Sequence, residues 1–187
     1  SFYRYMQEEQ ALISLLLNPE TREKGFQQLV NLYAQRLYWH VRRMVIDHDD
    51  ADDLLQEIFI KIWQNLDKFR GDSKLYTWLY RIATNETLTF LQKKKKATFT
   101  SLEDNQALVD TWEAGVASGS VSGEEIELKL QRAMLTLTDK QRQIFQMKYF
   151  EYLTFEQIAE ITGTTVGGLK ATYHTAMKKI EEKLLEE

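Results

Sequence analysis

Leu153-Thr-Phe-Glu-Gln-Ile-Ala-Glu-Ile-Thr-Gly-Thr-Thr-Val-Gly-Gly-Leu-Lys-Ala-Thr-Tyr-His-Thr-Ala-Met-Lys-Lys-Ile180 reads as two helices broken at Gly163. Ala159, Gly163, Val166 and Leu169 have helix-turn-helix spacing, and each residue type has a physical reason to be there. A small Ala159 lets the helices cross closely, Gly163 allows the positive φ of the turn, and Val166 and Leu169 pin the second helix to the first. That second helix presents Gly167, Lys170, Ala171, His174, Thr175 and Lys178 outward, where a recognition helix would meet the base edges of a major groove. Plain packing of a helical hairpin is the competing reading, and His174 alone is equally a packed or a surface histidine.

Working outward, Thr154-Phe-Glu-Gln157 and Thr138-Asp-Lys-Gln141 are capping boxes that place two helix starts. Apolar residues recur at three and four along the rest of the chain, and the only proline is Pro19, so the fold class is all-α. Phe26, Leu29, Val30, Tyr33, Leu37, Val41 and Met44 mark one face of an early helix. A second helix follows the acidic cluster Asp47 to Asp53, whose carboxylates suit a helix N-terminus, runs through Ala51, Leu54, Leu55, Ile58 and Ile62, and ends before Gly71. A third begins near Ser73 as N-cap and continues through Leu75, Leu79 and Ile82 to Leu91.

Charge divides the chain. Residues 1–92 carry 11 basic and 13 acidic side chains, and Lys93 to Lys96 add four positives in a row. Residues 97–123 hold no Lys or Arg, four acids (Glu103, Asp104, Asp110, Glu113) and a run of Ser, Gly and other small residues, which is linker composition. Residues 124–187 carry 9 basic and 11 acidic side chains and return to helical periodicity. Two helical modules, 1–96 and 124–187, joined by an acidic flexible strap over 97–123, are therefore expected. The strap leaves their relative placement open.

Composition excludes several classes of function. With 43% hydrophobic and 28% charged residues, the chain of 187 residues is that of a soluble globular protein. The absence of cysteine removes disulfides, Cys-ligated zinc and thiol nucleophiles. Ala11 to Leu17, the longest apolar stretch near the N-terminus, is seven residues against the roughly 18 a bilayer span needs, so neither an anchor nor a signal peptide is expected. An enzyme would have to draw its base from His40, His48 or His174, and the sequence shows no nucleophile and base pair, glycine-rich phosphate loop or metal triad to accompany one. No cofactor and no metal are expected.

Two further constellations lie in the first module. In Asp49-Asp-Ala-Asp-Asp-Leu-Leu-Gln-Glu-Ile-Phe-Ile-Lys-Ile-Trp63, Asp53, Gln56, Glu57 and Ile60 share one helix face opposite the apolar stripe. A solvated acidic face is the plain reading; an exposed Ile60 within it tilts toward a docking surface. A metal site is weakly indicated, since these carboxylates lack a histidine partner or a glycine-containing loop. In Phe69-Arg-Gly-Asp-Ser-Lys-Leu-Tyr-Thr-Trp-Leu-Tyr-Arg-Ile-Ala-Thr-Asn85, Tyr76, Trp78 and Tyr80 interleave with Lys74 and Arg81. Such aromatics can stack unpaired bases while the cations hold phosphates. For Trp78 a core position is favoured, and the lysine run also fits a solvated helix end.

In this order and at this spacing, the three constellations resemble the extracytoplasmic-function group of bacterial sigma factors, over nearly the whole chain. The resemblance implies that the acidic helix docks on the clamp helices of the RNA polymerase β′ subunit, which casts Asp52, Asp53, Gln56, Glu57 and Ile60 as polymerase contacts. It implies −10 recognition and strand opening by Arg70, Ser73, Lys74, Tyr76, Arg81 and Asn85. It implies −35 recognition by Gly167, Lys170, Ala171, His174, Thr175 and Lys178. Core RNA polymerase (β′ clamp helices, β flap), promoter DNA and an anti-sigma factor are the implied partners, with no stable membrane insertion and a cytoplasmic location. The recognition helix departs from many members, which place arginines there, by having lysines only at 170, 178 and 179. Arginine bidentate to guanine is the commonest strong base contact, and this helix has none to offer. A stand-alone helix-turn-helix regulator is the alternative, but it would favour a more basic second module.

Overall fold

The computed structural model describes residues 2–97 and 125–186; the strap expected over 97–123 lies, from residue 98 on, outside them. The described residues form helices and connecting turns with no strand: α1 (Phe2–Leu17), α2 (Arg22–Arg42), α3 (His48–Gln64), a short 3-10 turn (Leu66–Lys68), α4 (Leu75–Ala97), α5 (Glu125–Met134), α6 (Asp139–Tyr149), α7 (Phe155–Thr162) and α8 (Val166–Glu186). No helix among them is long and apolar enough to cross a membrane.

The first module, α1 to α4, is organised by the stripe read on α2. Leu29, Tyr33, Leu37, Val41 and Met44 are buried there, against Leu12 and Leu16 of α1, Ala51, Leu54, Ile58 and Ile62 of α3, and Leu75, Leu79 and Ala83 of α4. Helices α1 and α2 cross closely at Gly25, where an added Cβ would lie 3.0 Å from Leu15 Cβ and 3.1 Å from the Leu16 side chain. A larger residue there would require its neighbours on α1 to give by a few tenths of an ångström.

Two helix starts differ from the sequence expectation. Helix α3 does not follow the acidic cluster but begins inside it, with Asp47 as N-cap accepting from the Asp50 backbone N–H at 3.0 Å. The aspartates after it fill the first turn, where the helix dipole favours them. Helix α4 begins at Leu75 rather than on a Ser73 cap, since Trp78 N–H donates to the Lys74 carbonyl at 3.2 Å. It runs on through the four lysines to Ala97, and Lys94 pairs with Asp50 across to α3.

The second module follows its local signals closely. Thr138 and Thr154 each close a capping box, with Gln141 and Gln157. Gly163 ends α7 in the left-handed region at φ 73°, satisfying its backbone N–H on Ala159 O at 2.8 Å. The helix-turn-helix expected from Ala159, Gly163, Val166 and Leu169 is therefore α7, turn and α8, with Ile158, Ile161 and Leu169 buried between the helices. A second cluster of Ala133, Met134, Leu137, Phe145, Ala176 and Ile180 joins α5, α6 and α8. Phe145 stacks on Tyr149 and on Tyr173, with centroids 5.1 and 6.0 Å apart.

Candidate polymerase and promoter interfaces

Three surfaces carry the residues singled out in the sequence. On α3, Asp53, Gln56, Glu57 and Ile60 are all exposed and Asp52 is partly so. Their i, i+3, i+4, i+7 spacing puts the first four on one face, opposite buried Leu54, Ile58 and Ile62. Ile60 is 55% exposed and Trp63 43%, and Trp63 rests against Phe26 with centroids 5.1 Å apart. The face is acidic, with Ile60 exposed beside the carboxylates. At its N-terminal end His48 Nδ1 lies 3.3 Å from Asp52 Oδ2 and 3.8 Å from Asp49 Oδ1. The acidic cluster thus has the histidine neighbour that spacing did not reveal. The grouping is largely exposed, and an ordinary surface contact between a histidine and neighbouring carboxylates accounts for it.

On and just before α4, Arg70, Lys74, Arg81 and Asn85 are exposed and Ser73 partly so. Tyr76 is not available to stack on a base: it is only 9% exposed, in the core of the first module, and its hydroxyl is buried with no hydrogen-bond partner. The reason is helical register. Tyr76 sits beside buried Leu75 and Thr77 and one turn before buried Leu79 and Tyr80, on the inward side. Residues 74, 78, 81 and 85 share the outward face by their spacing. The aromatic set among Lys74, Arg81 and Asn85 is therefore Trp78, half-buried and leaning on Phe69 with centroids 5.2 Å apart. Sequence reasoning counted Trp78 among the aromatics interleaved with the cations but favoured a core position for it. Counting by three and four from Arg81 would have found it.

On α8, Gly167, Lys170, Ala171, His174, Thr175 and Lys178 are all exposed, with Leu169, Ala176 and Ile180 buried behind them. Lys170 Nζ stands 6.0 Å from the centroid of the Phe155 ring, and the Thr175 hydroxyl donates to Ala171 O at 3.1 Å. The six residues share one exposed face of α8, which carries two lysines, a histidine and a threonine.

The modules meet along a seam that the sequence did not announce. Helix α4 packs against α6 and α7, and Ile144, Met147 and Leu153 join the apolar core of the first module. Polar side chains line the same junction. His40, fully buried on α2, donates or accepts through Nδ1 at 3.1 Å from Glu151 Oε1. Tyr80 Oη lies 3.5 Å from the same oxygen, and burial first, then the Glu151 charge, pushes its phenol well above the ordinary range. Gln146 Nε2 donates to His40 O at 3.0 Å, Gln143 Nε2 to Thr84 O at 3.3 Å, and Arg142 Nη2 to Met44 O at 3.0 Å. Arg81 Nε donates to Glu160 O at 2.8 Å, and Lys95 Nζ lies 2.7 Å from Asp139 Oδ2. The seam is imperfectly satisfied. His40 Nε2, Gln146 Oε1 and Arg142 Nε are buried without a partner, and each such group costs about 1–3 kcal/mol, comparable to what one of the bonds contributes.

Comparison with known proteins fits this arrangement. Residues 29–97 match Sigma-70 region 2, and residues 127–180 match Sigma-70, region 4. The ECF RNA polymerase sigma factor SigW of Bacillus subtilis (strain 168) is 30% identical over 168 residues, covering 87% of this chain and 90% of that protein. The ECF RNA polymerase sigma-E factor of Escherichia coli (strain K12) is 31% identical over 176 residues, covering 88% and 91%. Two solved structures share the fold. The sigma factor RpoE in complex with the anti-sigma factor NepR from Bartonella quintana superposes with TM-score 0.68 at 22% identity, over 86% of this chain and 97% of that one. CnrH in complex with the cytosolic domain of CnrY does so with TM-score 0.69 at 21% identity, over 96% and 98%.

Proposed function

The chain belongs to the extracytoplasmic-function sigma factors and directs transcription initiation, and from that premise we propose which of its surfaces does what. The module of residues 1–96 docks on the clamp helices of the polymerase β′ subunit through Asp52, Asp53, Gln56, Glu57 and Ile60. It engages the −10 element through Arg70, Ser73, Lys74, Arg81 and Asn85, with Trp78 as the stacking aromatic and Tyr76 holding α4 in place from inside the core. The module of residues 124–187 reads the −35 element through Gly167, Lys170, Ala171, His174, Thr175 and Lys178, and contacts the β flap. The protein acts in the cytoplasm as a binding subunit with no chemistry of its own, under control of an anti-sigma factor.

The observation that supports this division most is the exposure of two faces, on α3 and on α8, with opposite charge character. The α3 face holds three carboxylates, and the nearby Lys61 is paired with Glu86, so the face suits a basic protein surface and repels phosphate. The α8 face holds two lysines, His174 and Thr175, and no acid, so it suits DNA. A net charge of −4 explains why free protein should bind promoter DNA poorly, since phosphate neutralisation dominates such affinity and the polymerase must supply the missing positive charge. This disfavours a stand-alone regulator.

Size-exclusion chromatography of the protein mixed with bacterial core polymerase, with labelled promoter DNA added to the fractions, tests the reading. Comigration with core and core-dependent DNA retention are expected; DNA retained by the protein alone would move it to the stand-alone regulator. Asp53→Ala combined with Gln56→Ala should weaken core binding by about 10- to 100-fold while helicity is unchanged. His174→Ala should reorder a panel of −35 variants, whereas Lys170→Ala should weaken all of them alike.

A further inference from the structure

We infer that the −35 element this chain reads is centred on adenine·thymine pairs and contains no position at which guanine is required. The inference rests on the assignment of α8 to the −35 element made above.

The donors and acceptors on the exposed face of α8 carry the argument. In the major groove guanine shows two acceptors, N7 and O6; adenine shows an acceptor at N7 beside a donor at N6, and thymine a C5-methyl group. Telling guanine from adenine therefore takes a side chain that donates twice to one base, and α8 holds no arginine to do so. Its outward lysines lie to either side of the central positions. Lys170 Nζ stands 6.0 Å from the ring of Phe155 at the start of α7, the helix that crosses the DNA backbone in this motif. Lys178 lies about two turns beyond Ala171, past the N-terminal part of a recognition helix that meets base edges.

Between the lysines, both threonine hydroxyls are spent as donors. Thr172 Oγ1 donates to Gly168 O at 3.0 Å and Thr175 Oγ1 to Ala171 O at 3.1 Å. Each keeps only lone pairs for a partner, so it accepts from adenine N6 or cytosine N4. His174 donates one N–H at most when neutral, and N7 is common to both purines, so it separates purine from pyrimidine without choosing guanine.

Size then separates adenine from cytosine. A Cβ added at Gly167 would meet nothing within 4 Å, so no contact inside the protein asks for glycine there, although glycine weakens a helix relative to alanine. Gly167, Ala171 and Thr175 follow one another at intervals of a turn on one exposed strip, low enough for base edges to approach the helix closely. At that range the Ala171 methyl meets a thymine C5-methyl while Thr175 accepts from an adenine N6. A cytosine·guanine pair would satisfy the hydroxyl but leave Ala171 facing no methyl.

The test is selection by the full chain bound to bacterial core polymerase, from duplex DNA randomised through both promoter elements. The selected −35 elements should be rich in adenine·thymine pairs, with guanine on either strand favoured less than about twofold at every position. Guanine enriched about tenfold or more at any position, the mark of a bidentate contact, would overturn the inference. Replacing thymine by uracil in the selected element removes only the C5-methyl. It should weaken binding about threefold to fivefold for the parent protein and less than about 1.5-fold for Ala171→Gly; equal losses in the two would overturn the methyl contact. Thr175→Arg, which supplies the missing pair of donors, should create a guanine preference of about tenfold at one position. A selected −35 element that Ala171→Gly and Thr175→Arg both leave unchanged would remove the assignment of α8, and this inference with it.

Discussion

The two modules are stabilised in different ways. Helices α1 to α4 enclose a core in which each helix buries an apolar stripe against the others, from Leu12 and Leu16 through Leu37 and Ile58 to Leu79. Helices α5 to α8 have a smaller cluster of their own around Phe145, and the rest of their buried apolar side chains, Ile144, Met147, Leu153, Ile158, Ile161 and Leu169, are continuous with the core of the first module. A small helical unit has little interior to work with. The second module gains burial by leaning on its neighbour, and it does so through a seam where glutamine, arginine, histidine and glutamate take the places that leucine takes elsewhere. The first module closes its own core; the second completes its core on the first.

Core substitutions probe that contrast most strongly. Phe145→Ala should cost about 3–5 kcal/mol and Leu37→Ala about 2–5 kcal/mol. Hydrogen exchange should show Phe145→Ala opening α5, α6 and α8 while α1 to α4 keep their protection, and Leu37→Ala loosening both modules. Equal loss in both modules for Phe145→Ala would break the asymmetry.

A smaller effect sharpens the account of the seam. The Tyr80 phenol is raised above its ordinary value of 10.0, chiefly by burial and next by the Glu151 charge. Its folded form holds the proton more tightly than the unfolded chain does, so this contribution is complete below pH 10 and is lost as pH rises beyond it. Tyr80→Phe should remove that part of the alkaline loss in urea titrations at pH 9 and pH 11, and an unchanged pH difference would contradict the burial of the phenol at the seam. Smallest of all, Lys95→Ala should change stability by no more than about 0.5 kcal/mol, because the lysine is 68% exposed and its pair with Asp139 is screened. A larger loss in the same denaturation measurement would mean that surface charges, and not the buried polar groups, hold the modules together.

Local signals carried much of the fold. The capping boxes at Thr138 and Thr154 and the glycine at 163 each fix a helix end by hydrogen bonds or by φ within a few residues, which sequence displays directly. The outward faces of α3 and α8 followed from helical spacing for the same reason. Tyr76 and Trp78 show where that reasoning thins out. Two positions on a helix differ by about 200° in direction, so reading aromatics as interleaved with cations, without fixing the helix start, could not tell the inward ring from the outward one. The seam was not legible at all. Gln143 and Gln146 look like a solvated helix face, His40 like a stray titratable group, and Glu151 like a loop residue; His40 and Glu151 meet across a separation of 111 residues. No periodicity encodes such a pairing, because it depends on how two finished modules dock.

The most direct test is the distance across the seam, read by fluorescence energy transfer between dyes on Lys95→Cys and Asp139→Cys in the full chain. The free protein should show a single short distance, because buried side chains of the second module complete the core of the first. A free protein that populates a long distance would contradict the account.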